Sequence, residues 1–559
     1  MQEDDNISHR SLINVTHVRA TASNPDLHVV KERIYYKDGS EKPHTYLIED
    51  YKVPFYITLP QHRTFKQHKE RAPLHQLAKH QSTVSALPNA ISRALGNRWS
   101  TGRLRDVCNS PYVFGAQLSS LVRIRRDYAS KWPVPPKPLR YAAYDLETSV
   151  VDEEGAIIIA SIAFQTQVKV FIRSDFLDGC PDQLEYFAKA KEHMGEHGFT
   201  DLIKGIDFSY EVLPTELDVI KALAKAMFEF DVDVVGAWNH EFDVCKLIAR
   251  CEALRVNPAD IFSDPIVPPP ARRFKFIEGS RIKMSVTGKT RSLQPSEQWH
   301  NIHATSGFLW LDAMCVYRRL RFASAFLPSY SLDAIAKLHL GIGKLETEET
   351  KHMDSLSRHI HMQTKDKLTY CLYAGLDVLE MILLDKKIND ITLRLPIELA
   401  GSDYRDASKA SARTSDMFSM ALEEDGYIFG TVGSEPDKFP KDVLPLSGWP
   451  LSLPNNLHAT PGISAVAELP DYATNIYTCN LTTDLTSAYP NLIYALNISK
   501  ETTRYEMVEI EGAHCDKLTI YHQNMNLFGG KVNALDYCQL VYGYPSLDQI
   551  DQFLSTLKH

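Results

Sequence analysis

Residues 141–148 read YAAYDLET. The run is short, β-rich and bounded upstream by proline, so it predicts a strand. Asp145 and Glu147 stand two apart in it. On a strand, residues i and i+2 face the same way, so both carboxylates can reach one cation. Two more β-rich runs follow, AIIIASIAF (156–164) and VKVFI (168–172). A helical stretch, ELDVIKALAKAMFEF (216–230), comes next. Strands followed by alternating helix and strand predict an α/β layer fold. Immediately upstream, KWPVPPKPLR (131–140) carries four prolines. Proline fixes φ and removes a donor, so this reads as an extended connector and a domain boundary. A second cluster, Pro265 to Pro270, reads as a loop inside the following domain.

A chain of 559 residues is long enough for three or four domains at about 100–200 residues each. Its longest apolar run, Ala156–Phe164, falls well short of the ~20 residues of a membrane helix, so no membrane partner is expected. The opening MQEDDNISHR is acidic and polar, unlike a secretory signal. The nine cysteines contain no C-x-x-C pair, which fits a reducing, cytoplasmic compartment. Net charge is −9, and by itself this counts against a nucleic-acid binder. The charge is uneven, however. Between Gln61 and Arg105 there are nine Lys/Arg against the single acid Glu70, and between Arg272 and Arg291 seven against Glu278. Phosphate binding needs local basic patches rather than a basic total.

Two further stretches supply carboxylates. VDVVGAWNHEFDVCKLIARC (232–251) predicts a buried strand, a turn holding Asn239, and a helix with Phe242 and Asp243 near its start. KLTYCLYAGLDVLEMILL (367–384) predicts a helix on which Tyr373 and Asp377, spaced i and i+4, share a face. Each piece alone is a common string; their order and element types together are specific. A D-x-E strand, an N-x-x-F-D turn and a Y-x-x-x-D helix resemble the DEDDy 3′–5′ exonucleases. That resemblance implies an RNase H-like fold, two Mg²⁺ or Mn²⁺ ions held by Asp145, Glu147, Asp243 and Asp377, and a Tyr373 hydroxyl that orients the attacking water. Four carboxylates are the hard oxygen ligands such ions take. The Asn239–Asp243 spacing is one residue shorter than B-family DNA polymerases usually show.

The stretch GFLWLDAMCVYRRLRFASAFLPSYSLDAIAKL (307–338) is similar to the bacteriophage branch of those polymerases. The resemblance implies that Arg318 or Arg319 lies near the scissile phosphate. It also implies a strand-separating β-hairpin around 272–291, with Arg281 and Lys283 touching DNA. Further on, DLTSAYPNLI (484–493) resembles motif A of the B-family polymerases. There the resemblance assigns both polymerase metals to Asp484 with the Leu485 carbonyl, and the incoming dNTP to Ser487, Ala488 and Tyr489. Ala488 and Asn491 depart from the usual leucine and serine. No K-x-x-x-N-S-x-Y-G and no D-T-D-S occurs in the sequence. Asp484 alone leaves two ions under-ligated and a triphosphate without its basic clamp. The closing PSLDQIDQFLSTLKH (545–559) reads as a helix with a Ser546–Gln549 capping box, as a natural terminus would.

The expectation is therefore a multidomain α/β and α+β chain. It comprises a mixed N-terminal domain (1–138, rejoined by 395–425), an RNase H-like DEDDy exonuclease domain (139–394) and a partial polymerase palm (426–559). The function expected is that of the N-terminal subunit of a split polymerase. It would degrade single-stranded 3′ ends alone, and extend primer-template DNA with a second chain bringing fingers, motif C carboxylates and thumb, with a sliding clamp as a further partner. If phage-encoded, it would work in the host cytoplasm. The alternatives are a stand-alone exonuclease with a vestigial palm and a non-catalytic nucleic-acid-binding assembly subunit. His359 and His361 read as solvated side chains.

Overall fold

The computed structural model describes residues 6–63, 71–96, 102–133, 137–151, 155–284, 290–345, 347, 349–399 and 402–433, together with the backbone of three later strands. The chain divides into two compact units, Met1–Pro440 and Lys441–His559.

The centre of the first unit is a six-stranded mixed sheet. Its order is 207–213, 167–173, 157–164, 141–148, 234–237, 309–312. Tyr141–Thr148 runs antiparallel to Ile157–Phe164 and parallel to Val234–Ala237. Val234–Ala237 in turn pairs parallel with Leu309–Asp312. Every residue of Ile157–Phe164 is buried, because helices cover both faces of the sheet, and a strand covered on both sides reads as a continuous apolar run. Helix Glu216–Glu229 packs on one face and helix Lys367–Ile388 on the other. The latter is apolar on most sides and buried over most of its length, as a helix enclosed by protein must be. It lies so close to the sheet that a Cβ on Gly375 would sit 3.2 Å from Val170.

Side-chain alternation along the first strand fixes the site. Ala142, Tyr144 and Leu146 enter the core beneath helix Glu216–Glu229, while Tyr141 and Ala143 enter the core shared with helix Lys367–Ile388. Asp145 and Glu147 continue the odd-numbered series, so they face the long helix. A register shift between Glu147 and Thr148 ends the regular pairing.

Ahead of this sheet, Ile7–Val18, Leu27–Tyr36 and Glu41–Glu49 form an antiparallel three-stranded sheet. Lys52–Thr58 lies between Leu77–Thr83 and Val113–Phe114 in another. Helix Ala410–Glu424 and strand Tyr427–Phe429 come back against this region. Glu423 accepts from Arg126 at 2.7 Å and from Arg123 at 3.3 Å, and Tyr427–Phe429 pairs antiparallel with Arg71–Pro73.

In the second unit, Arg504–Glu509, Thr519–Leu527 and Gly530–Asn533 form an antiparallel sheet. Asp484, Leu485, Ser487, Ala488 and Tyr489 lie outside the described residues, as does the terminal stretch 545–559.

Candidate active site

Three elements bring four carboxylates together. Asp145 and Glu147 come from the central strand, Asp243 from the first turn of helix His240–Ala253, and Asp377 from the middle of helix Lys367–Ile388. Carboxylate oxygens of Asp145, Glu147 and Asp377 all lie within 4.8 Å of one another. Asp243 is buried beside them and interacts electrostatically with Asp145 and Glu147. Asp377 Oδ1 is buried without a hydrogen-bond partner, and orphaned buried acceptors of this kind call for a cation or water.

The electrostatics follow from crowding like charges in a poorly solvated place. Burial, then the Asp377 charge, pushes Asp145 up to about 7. Burial, then Asp145, drives both Glu147 and Asp243 well above the ordinary carboxylate range. Nearby, burial raises Asp312 to about 7. One turn beyond Asp377, Glu380 is fully buried with neither oxygen hydrogen-bonded. Burial and then Asp377 raise it to about 9. A set of acids held this close, with an orphaned oxygen and hard donors only, fits a divalent cation such as Mg²⁺ or Mn²⁺.

One cation of the chain is already there. Lys344 Nζ donates to Asp377 Oδ2 at 2.6 Å and to the Tyr373 hydroxyl. Burial works to lower the lysine's pKa, but Asp377 and Tyr373 carry it well above its usual value. An ammonium only donates, so the Tyr373 oxygen accepts from it and the phenolic proton stays available to another acceptor. Glu147 is held differently. Its carboxylate accepts from the Tyr370 hydroxyl. That hydroxyl in turn accepts from Gln363 Nε2 at 3.2 Å and lies 2.9 Å from His359 Nδ1. Gln363 also ties the end of the strand, donating to Thr148 O and accepting from Val150 N, each at 2.9 Å.

Lys344, Tyr370, Gln363 and His359 were not among the candidates read from sequence. His359 corrects the expectation of a solvated side chain: it bonds Tyr370 and stands 3.9 Å from Glu147. A helical signal for three of them existed, since Tyr370 lies one turn before Tyr373, and His359 and Gln363 are spaced i and i+4. Lys344, in the segment after helix Leu332–Leu340, has no periodic signal at all.

The remaining candidates surround the cluster or lie apart from it. Asn239 is exposed at the cap of the Asp243 helix and makes no side-chain capping bond. Phe242 is 45% exposed, with Lys246 Nζ 5.7 Å over its ring, which leaves an open aromatic face next to Asp243. Arg281 pairs with Glu241 at 2.6 Å and with Glu278. It therefore tethers the hairpin strands Ile282–Met284 and Thr290–Ser292 to the helix that carries Asp243. Lys283 is exposed on the first of those strands. Arg318 is engaged in packing, 4.0 Å over Phe326 and donating to Arg321 O at 2.7 Å. Arg319 stacks over Phe322 at 4.9 Å and donates to Ala407 O at 3.2 Å.

No family model matches the chain. Over 196 residues it is 26% identical to the DNA-directed DNA polymerase of Escherichia phage RB69. The chain is similar to a bacteriophage DNA polymerase. The match covers 35% of this chain and spans 18% of the relative's length. No helix of the described residues is long and apolar enough to cross a membrane.

Proposed function

We propose that this chain is a 3′–5′ exonuclease acting on single-stranded DNA ends. The observation that carries the reading is the convergence of Asp145, Glu147 and Asp377 within 4.8 Å, with Asp243 buried alongside. Asp145, Glu147, Asp243 and Asp377 would hold two Mg²⁺ or Mn²⁺ ions, which supply charge stabilisation at the scissile phosphodiester.

The protein's own groups do the rest. Tyr370 and Gln363 hold Glu147 in place, and the hydrogen bonds of Lys344 fix Asp377 and the Tyr373 hydroxyl relative to each other. Tyr373, with its proton free to donate, positions the attacking water or a phosphate oxygen. The exposed Phe242 ring offers a surface on which a terminal base can stack.

The similarity to a phage polymerase and the DLTSAYPNLI string support a second role for the same chain. In that role Asp484 and Tyr489 contribute to a DNA polymerase site that a second chain completes with its own carboxylates, fingers and thumb, using dNTPs and primer-template DNA.

The test is digestion of a 3′-labelled single strand by the purified chain with Mg²⁺ or Mn²⁺, then with chelator. Asp145→Ala with Glu147→Ala should remove the activity, and Asp484→Ala should leave it intact. Primer extension by material co-purified from the native source should respond the opposite way. Absence of turnover with either metal would favour the non-catalytic assembly subunit instead.

A further inference from the structure

Away from the carboxylates, a cavity of about 240 Å³ lies where strand Ile7–Val18, helix Ser120–Lys131 and the segment around Leu395–Tyr404 meet. Sites between structural layers of this kind are common places for small ligands. Its walls are aliphatic and aromatic, with Leu12, Leu395, Tyr128 and Trp132 among them. Arg125 lines it as well, with Arg10 and Lys137.

Arg125 is unusual among the arginines of its helix. Arg123 and Arg126 both pair with Glu423. Arg125 has no hydrogen bond or ion pair with any described residue, and its Nε is buried without a partner. The carboxylate it feels most strongly is Asp403, but Asp403 is already held by a two-pronged pairing with Arg405, at 2.7 and 3.0 Å. The neighbouring cation Arg10 is likewise taken by Glu32. Arg125 is half-buried, and a guanidinium whose Nε is cut off from both water and an anion is poorly satisfied; its planar fork matches a phosphate or carboxylate. A second cavity, of about 380 Å³, shares Arg10, Tyr128 and Trp132 with the first and adds Tyr46, His44, Lys131 and the carboxylates Glu32 and Asp127, so the anion is placed in the first cavity, on Arg125.

We infer that this pair of cavities binds one nucleotide, its phosphate on Arg125 and its base against the Tyr128–Trp132 wall. The choice of a nucleotide among planar phosphate esters rests on the nucleic-acid reading above; the anion site itself rests on Arg125. The nucleotide is either a free 5′-mononucleotide, as an exonuclease releases, or one unit of a single strand.

Calorimetric titration of the full chain with dAMP, dTMP, a short oligo-dT lacking a 5′-phosphate and inorganic phosphate tests it. The expected result is saturable binding of a nucleotide probe, weakened about tenfold or more in Arg125→Met, the loss of a charge-assisted contact. Binding by the mononucleotides identifies the free product as the source, and binding by oligo-dT alone identifies the strand. Arg125→Met should melt no lower than wild type, since it removes a half-buried charge that has no ion pair among the described residues. Should it unfold, Arg125→Lys keeps the charge and loses the fork, and the same weakening is expected. Unchanged affinity in these variants, no nucleotide binding by wild type, or phosphate binding as tight as the mononucleotide's would each overturn the inference. Asp145→Ala with Glu147→Ala separates the two sites. Binding that survives there but depends on Arg125 supports the cavity even if wild type digests nothing. Binding lost there and kept in Arg125→Met places the nucleotide at the carboxylates and overturns the inference.

Discussion

Two buried charge clusters in the first unit use the same residue types and reach opposite balances. In one, the fully buried Arg33 spans Asp231 and Asp233, at 2.9 and 2.6 Å. Lys31 stands 3.6 Å from Asp231 and donates to Val232 O, and Asp233 also accepts from the Arg140 backbone. Every acid there faces a cation, so the cluster is closed and ties the N-terminal sheet to the strand that leads to Asp243. In the other, Asp145, Glu147, Asp243 and Asp377 have among the described residues one lysine, Lys344 on Asp377, and the His359 ring 3.9 Å from Glu147. The excess negative charge is expressed as carboxyl groups that hold their protons too tightly. The lesson is that a buried acid marks a functional site when its neighbourhood leaves it short of positive charge, not merely because it is buried.

The contrast can be broken experimentally. The largest effect expected is on stability: Arg33→Met leaves the buried Asp233 with a backbone donor but no guanidinium and should cost about 3–5 kcal/mol, read by denaturant melts. A cost below 1 kcal/mol would mean that the closed cluster is not a structural tie. Neutralising the open cluster should do the reverse. In chelator at pH 8, Asp145→Asn with Glu147→Gln should stabilise the protein by about 1–2 kcal/mol, because it removes carboxylates whose ionisation folding opposes.

Lys344→Met should slow metal-dependent digestion about 10–100-fold, as loss of a partner to a metal-binding carboxylate does elsewhere. The readout that separates this from simple misfolding is an altered pH–rate profile with an unchanged melting temperature in saturating Mg²⁺. Tyr370→Phe, which loses one hydrogen bond to Glu147, should cost about tenfold, at the low end of that range.

The smallest effect is in the pH dependence of the melting temperature. Asp145's folded pKa, about 7, lies above its usual 3.8. The stability it contributes is therefore complete below its unfolded value and is lost as pH rises through 7. His28 and His240, lowered by burial to about 4 and about 3, act oppositely, and only below their unfolded value of 6.5. Between pH 6.5 and 8.5, then, the metal-free protein should melt progressively lower. Saturating Mg²⁺ should flatten that slope by binding the folded state, and Asp145→Asn should reduce it in part, since Asp312, Glu380, Glu147 and Asp243 are raised as well.

Much of this was legible in the sequence because it rests on local periodicity. The two-residue step in YAAYDLET and the four-residue step from Tyr373 to Asp377 put each pair on one face, whatever the rest of the chain does. The apolar run at 156–164 announced a strand, and the structure covers it on both sides. What the sequence could not assign was which charges would be answered. Asp231 and Asp233 have the same two-residue spacing as Asp145 and Glu147, yet Arg33, about 200 positions away, neutralises them. Lys344, His359 and the unpaired Arg125 owe their surroundings to the packing of distant segments. Residue spacing determined which carboxylates lie side by side. Only the tertiary structure decided which of them find a counter-charge, because electrostatic balance depends on three-dimensional distance and burial rather than on order along the chain.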